Sequence, residues 1–337
     1  MSQQNLIDQN IERVTPSLVP LFIHIDPTNL CNFKCTFCPT GDHALLKSIS
    51  RPRGFMSIRT FEKIINDLDH MVLKYKIKPK EIDLFKDGEP LLNKNLEKMI
   101  AILSQKNFTQ SLGLTTNASA LTPKRSRQLI ESGLQKIKFS IEHVTDDGYE
   151  KVTKTRFPFE RIHNNIRTFW NINLELGSPV TIHSKIVNID YDQSVISKFR
   201  EIFAPISHSI SIDDIHGWSA SNTRDWKLGV NPEDADGSEI SGKVDVCHQP
   251  FNLLTILFNG DLTPCCVDWS HRLVIGNIHK NSLDELWNGA AITEQRAAQI
   301  NQTIPRESPC FKCSYKTLSS LSRGRRDKID ELALKQG

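Results

Sequence analysis

The chain lacks a secretory or membrane address: Met1 to Ser17 is polar without a basic-then-apolar signal pattern, and no apolar run is long enough to span a bilayer. A cytoplasmic location is therefore expected. It also lacks an excess of either charge. Lys and Arg number 42 against 39 Asp and Glu, a net +3, and no dense basic block carries interleaved aromatics, so nothing indicates a nucleic-acid or membrane partner. The run Lys74 to Lys80 reads as a solvated helix end and loop. There is no sequence repeat beyond an alternation of strands and helices. Cysteine is absent from positions 39 to 246, and the eight present are clustered, three at 31, 35 and 38 and five between 247 and 313. In a reducing compartment such clusters point to metal ligands or catalytic thiols rather than disulfides.

At 337 residues the chain can bury a full α/β core. Residues 1–20 form a polar arm ending at Pro20. Leu21 to Asp26 reads as a buried strand stopped by Pro27, and a long loop then runs through Arg51-Pro52-Arg53-Gly54 to an N-cap at Ser57. The helix after it carries Ile58, Phe61, Ile64, Ile65 and Leu68 at helical spacing. Further strands are expected at Glu81–Phe85, Ser111–Thr116, Lys136–Ile141, Val180–Val187 and Ser207–Ile212. Helices are expected at Leu96–Leu103, Thr122–Glu131, Phe159–Trp170 and Gln193–Phe203. Five strand–helix units and a sixth strand, in about 190 residues, give a parallel sheet curled into a partial barrel, too short for the eight-unit form of about 250 residues. Asp213 to Lys243 lacks periodicity and reads as a linker or substrate-facing loop. Leu253–Phe258, Asn259-Gly260 and Asp261–Thr263 read as a hairpin with a two-residue turn. Short helices follow at Leu283–Trp287, capped by Ser282, and at Thr293–Ile300, before a charged helical tail from Thr317 to Lys335. The division is an arm (1–20), a core (21–235), an auxiliary hairpin-and-helix domain (236–316) and the tail (317–337).

Cys31, Cys35 and Cys38 follow C-x3-C-x2-C on the loop leaving the first strand. A structural zinc site is closed by four ligands, whereas soft thiolates suit iron–sulfur clusters. Three cysteines on a four-iron cluster leave one iron open to a chelating amine and carboxylate. The alternative is a zinc knuckle completed by His43 or a distant residue. With Phe37 before its last cysteine, the segment resembles the signature of the radical S-adenosylmethionine (SAM) enzymes. Lys86-Asp87-Gly88-Glu89-Pro90, after the second strand, resembles that family's Gly-Glu-Pro motif, with Asp87 where glycine is frequent. The resemblance implies that Gly88, Glu89 and Pro90 hold the SAM amino group. It also implies that Thr116, Asn117 and Ser140 line the SAM site and that Arg156 pairs with the SAM carboxylate. Read without it, these are strand-end polar residues and a helix-flanking arginine. His24 and His183, on strands, read as satisfied core histidines.

Cys247, Cys265, Cys310 and Cys313 follow C-x17-C-x44-C-x2-C, and Gly260 precedes Cys265 by four intervening residues. This resembles the twitch domain, a shortened SPASM extension, and implies one auxiliary 4Fe-4S cluster. Taken alone the group also suits a zinc site, and the chain as a zinc-stabilised binding module. Cys266 is spare, although it and Cys265 are interchangeable in sequence. It is either a small buried hydrophobe or a hydrogen-atom donor. The resemblance further implies an external electron donor such as flavodoxin or ferredoxin. It extends to the radical SAM dehydrogenases and epimerases of cyclitols and sugars, and to peptide-maturing enzymes. Only 20 residues precede the first expected strand, so a leader-peptide-binding domain is not expected. Small polyhydroxylated substrates therefore rank above peptides.

Overall fold

Alternating residues along each strand decide which face meets the helices. In β4 (Lys136–Ile141), Ile137, Phe139 and Ile141 are buried while Lys136, Lys138 and Ser140 are half-buried. Phe139 packs edge-on against Phe169, 5.6 Å between ring centres, so the apolar face points to the helical layer and the lysines point into the barrel. The computed structural model describes residues 16–49, 51–189, 191–214, 246–311 and 313. In order these form β1 (Phe22–Ile25), α1 (His43–Ser48), α2 (Ile58–Tyr75), β2 (Glu81–Leu84), α3 (Leu96–Lys106), β3 (Leu112–Thr116) and α4 (Pro123–Glu131). After β4 come α5 (Asp146–Thr153), α6 (Phe159–Glu175), β5 (Thr181–Asn188), α7 (Gln193–Phe203) and β6 (Ser209–Asp214). The second half adds α8 (Gln249–Asn252), β7 (Leu253–Ile256), β8 (Asp261–Thr263), β9 (Gly276–Asn277), α9 (Leu283–Trp287) and α10 (Ala290–Ile300).

The sheet runs β6-β5-β4-β3-β2-β1-β7-β8-β9. Neighbours from β1 to β6 are parallel, which makes the α/β partial (β/α)6 barrel that the alternation implies. β7 lies parallel on the other edge of β1, with Leu254 opposite Ile23, and β8 and β9 continue it antiparallel. The hairpin strands and β9 thus extend the barrel sheet itself.

The helices form where caps and periodicity agree. Ser57 Oγ accepts from Thr60 N at the start of α2, whose buried stripe includes Phe61, Ile64, Ile65 and Leu68, and Thr122 caps α4. The sequence misses α1 inside the cysteine loop and α5 between β4 and α6. It also misreads the hairpin turn. Gly260 N donates to Leu257 O and Leu257 N to Asp261 O, and in that turn only Gly260, at φ +87°, is left-handed. The loop is therefore the three residues 258–260 with a glycine bulge, rather than a two-residue Asn-Gly turn. Of the expected linker, Asp213 and Asp214 belong to β6 and the rest lies outside the described residues, as does the expected tail. Among the described residues no helix is long and apolar enough to cross a membrane.

Candidate active site

The three-cysteine loop follows β1 across the mouth of the barrel and is pinned by main-chain bonds. Lys34 N donates to Thr153 O (2.9 Å) and Thr36 N to Val152 O (2.9 Å), both carbonyls of the last turn of α5. Cys38 N donates to Cys35 O (3.0 Å) and Gly41 N to Cys38 O (2.9 Å). Burial pushes the Cys31 thiol up to about 12, and it raises Cys35 and Cys38 as well. The thiols also sense one another, Cys38 acting on Cys31 and both acting on Cys35.

Glu89 joins this loop to the ends of β2 and β3. Its carboxylate accepts from Thr116 Oγ1 (2.6 Å), Leu91 N (2.9 Å) and Asn117 N (2.7 Å), and its own N donates to Leu30 O (2.8 Å). The side chain is thus a brace, and what the turn leaves for a ligand's amine is backbone carbonyl. Gly88 is needed there because a Cβ would fall 2.2 Å from Thr28 O and 2.5 Å from Leu30 O. Asn117 Nδ2 donates to Asn32 Oδ1 (3.1 Å) and Asn32 Nδ2 to Ser119 Oγ (2.8 Å), a second tie to the loop.

A buried ion cluster that sequence reasoning missed lies beside the same turn. Asp87 accepts from Arg51 Nη1 (2.9 Å) and Lys86 Nζ (2.7 Å), and its Oδ2 is 2.9 Å from His271 Nε2. Lys86 and Arg51 hold the Asp87 carboxyl well below its usual range against the cost of burial, which conversely lowers His271. Arg51 also donates to Trp269 O (2.5 Å) and lies over the Trp269 ring (4.5 Å). Trp269 Nε1 donates to Thr40 Oγ1 (2.9 Å), and Lys86 to Asp268 O (3.3 Å). The segment just after Cys265 and Cys266 is therefore locked to the turn at Asp87 and to a residue two positions past Cys38. Asp26, just past β1, is fully buried, and burial followed by Asp87 raises it to about 7. Asp87 alone gave a sequence signal, by standing where glycine is frequent. Arg51 looked like loop charge.

In the second group, burial first and then Cys266, Asp268, Cys313 and Cys310 raise the Cys265 thiol, so these groups lie within electrostatic reach of it. Asp268 orders the loop by accepting from Leu273 N (2.8 Å) and Arg272 N (3.2 Å). Cys247 N donates to Gln299 Oε1 (3.4 Å) on α10.

The other expected residues separate. Phe37 is half-buried on the cysteine loop and Pro90 buried in the strand-two turn. Ser140 is half-buried on the barrel face of β4, near Lys185 and Ser211 by register. Arg156 is apart: its side chain is 89% exposed and its Nε pairs with Glu150 at 3.0 Å. His183 bonds Ser209 and Ser211 through its two nitrogens, whereas half-buried His24 has a buried, unpartnered Nδ1 and is lowered to about 4 by desolvation, so of the two His183 is the satisfied histidine. Glu142, also missed, is buried, raised to about 7 by that burial, and acts on Cys35.

The donor set fits iron–sulfur clusters. Buried soft thiols with raised pKa values stay protonated unless a metal centre displaces the proton, and Cys31, Cys35, Cys38 and Cys265 have this character. Among the described residues no three His, Cys, Asp or Glu side chains gather as a single-ion site, so the fit rests on donor chemistry and electrostatics. Residues 25–184 match the radical SAM superfamily, and residues 247–314 match SPASM, an iron-sulfur cluster-binding domain. The GTP 3',8-cyclase of Staphylococcus carnosus (strain TM300) is 24% identical over 226 residues, 66% of this chain and 64% of that protein. The chain thus spans less than two thirds of the length of such curated relatives. BtrN, solved with AdoMet and 2-DOIA, shares the fold at 18% identity and TM-score 0.53, over 88% of this chain and 92% of BtrN. Streptococcus suis SuiB bound to its precursor peptide SuiA does so at 14% and 0.63, over 93% and 74%. The cofactors are accordingly SAM, the 4Fe-4S cluster that binds it, and an auxiliary iron–sulfur cluster.

Proposed function

We propose that this chain, a radical SAM domain joined to a SPASM domain, removes a hydrogen atom from a small polyhydroxylated substrate and oxidises or epimerises the carbon it attacks. When bound, the cofactors supply a 5'-deoxyadenosyl radical and, through the auxiliary cluster, a one-electron redox partner, with electrons delivered by a flavodoxin or ferredoxin. Cys31, Cys35 and Cys38 hold the SAM-binding cluster, and Cys247, Cys265, Cys310 and Cys313 the auxiliary one. Glu89 braces Gly88 and Pro90 so that backbone carbonyls meet the SAM amine, Phe37 flanks the cluster, and Thr116, Asn117 and Ser140 line the SAM site. Arg156, paired with Glu150 at the surface, drops out of this role.

The observation that carries the reading is the lock between the two halves. Residues 268–271 join the loop after Cys265 to Thr40, Lys86 and Asp87, so both cysteine groups border one buried polar region. Such an enclosure excludes water from a radical site. The substrate class is supported by relatives named for GTP, whose ribose is polyhydroxylated. SuiB with its precursor peptide favours peptides as the second reading.

Anaerobic reconstitution is expected to load about eight irons per chain, two four-iron clusters. Release of 5'-deoxyadenosine is then compared with GTP, with aminocyclitols and with peptides. Stimulation by a polyhydroxylated compound is expected, stimulation by peptides alone would replace the substrate class, and zinc in place of iron would end the reading. Cys266→Ala should keep SAM cleavage, and an unchanged product would exclude Cys266 as a hydrogen donor.

A further inference from the structure

The inward face of α10 is unusual for the second half. Its buried residues are Ile292, Arg296 and Gln299, so two of the three are polar. Gln299 receives the Cys247 N–H, and Arg296, 7% exposed, donates from Nε to Pro250 O (2.8 Å) with its guanidinium 4.5 Å from the Trp287 ring centre. The first contact ties the arginine to α8, three residues past Cys247, and the second to α9. Nη2 is buried without a hydrogen-bond partner, and so is Gln249 Oε1, two residues past Cys247. Among the described residues no carboxylate pairs with Arg296, in contrast to Arg51, which has Asp87.

Burying a cation carries a desolvation cost that one hydrogen bond and a cation–π contact only partly offset. Burial pushes the guanidinium down only to about 10, so it keeps its charge at neutral pH. An anion nearby would balance it. A cluster on four thiolates carries net negative charge, which grows by one on reduction.

We propose that Arg296 is the counter-ion of the auxiliary cluster and a positioning residue that raises its reduction potential by favouring the more negative, reduced form. This rests on assigning that cluster to Cys247, Cys265, Cys310 and Cys313. The geometry carries it: a buried guanidinium with an unpartnered Nη2, anchored through Nε on the Pro250 carbonyl of α8, three residues past the first of those cysteines.

The experiment is redox titration of the auxiliary cluster by EPR in full-length protein carrying Cys35→Ala to silence the first cluster, beside Arg296→Gln and Arg296→Lys in the same background. Arg296→Gln is expected to weaken reduction about tenfold, a shift of about −59 mV for a one-electron couple. Arg296→Lys, which keeps the charge but loses the stacking, should stay near the parent. Equal potentials for Gln and parent at full iron content overturn the proposal. If Arg296→Gln fails to load, retained iron in Arg296→Lys supports a charge role, and loss from both variants overturns it. A parent without auxiliary iron overturns the cluster assignment itself, an outcome the iron count distinguishes.

Discussion

The two cysteine groups sit on segments outside the strands of one sheet but are built in opposite ways. Cys31, Cys35 and Cys38 lie within eight residues, and the loop takes its shape from neighbours in sequence and from two carbonyls at the end of α5. Cys247 to Cys313 are scattered, and only the tertiary fold brings Cys310 and Cys313 within electrostatic reach of Cys265. A local site needs its own loop; a dispersed site needs its docking. Cys35→Ala, the largest expected effect, tests the first half of this contrast. It should reduce SAM cleavage, read as 5'-deoxyadenosine, to background, while Cys265→Ala should retain cleavage and lose about half of the iron, one four-iron cluster of two. Cleavage surviving Cys35→Ala would erase the difference between the groups.

Asp87→Gly, next in size, strips the charge that Arg51, Lys86 and His271 share. All of that cluster is inside, since the Arg51, Lys86 and Asp87 side chains are at most 1% exposed. Removing one member of a buried ion set costs about 3–5 kcal/mol because the others stay buried and unpaired. Chemical denaturation should show that loss, with auxiliary iron released before the SAM-binding cluster as docking fails. Simultaneous loss of both would mean the dispersed group does not depend on this lock more than the local one.

The same contrast decided what could be read from sequence. β4 and α7 have the bounds that residue patterns give, Lys136–Ile141 and Gln193–Phe203, because alternation and helical spacing are local signals. Cys31, Cys35, Cys38 and the Gly88-Glu89-Pro90 turn were legible for the same reason. α5 was not, having few apolar residues in a short polar stretch. Arg51 stood only as part of a basic loop stretch because its partners lie 36 and 218 positions away. Arg296 was hidden likewise, since no pattern shows that a helical arginine faces inward.

Asp26 sharpens the picture of the locked region through pH. Its ordinary value is 3.8 and burial raises it to about 7. Between those values the folded protein binds more protons than the unfolded chain, so stability falls as pH rises from about 4 to about 7. Asp87, held low, acts in the opposite sense: its contribution is present above its unfolded value and lost as pH falls. Asp26→Asn cannot ionise, so its urea midpoint between pH 5 and 7 should decline less than that of the parent. Parallel profiles would remove Asp26 as a source of the slope.

The smallest expected effect concerns the outer attachment of the second half. Ser282 Oγ accepts from Glu285 N (3.3 Å) and Glu285 Oε2 from Ser282 N (2.8 Å), a capping box that starts α9. That helix rests on α2, with Leu283 N donating to Asp67 Oδ2 (3.0 Å) and Tyr75 Oη to Asp284 Oδ1 (2.9 Å). Ser282→Ala loses one cap and should cost about 1 kcal/mol in denaturation, leaving SAM cleavage at the parental rate. The ranking follows from solvent: water replaces a lost cap at the surface, whereas nothing replaces Asp87 inside the cluster. A Ser282→Ala cost equal to that of Asp87→Gly would place the decisive contact of the dispersed group on its outer helix instead of at the buried lock.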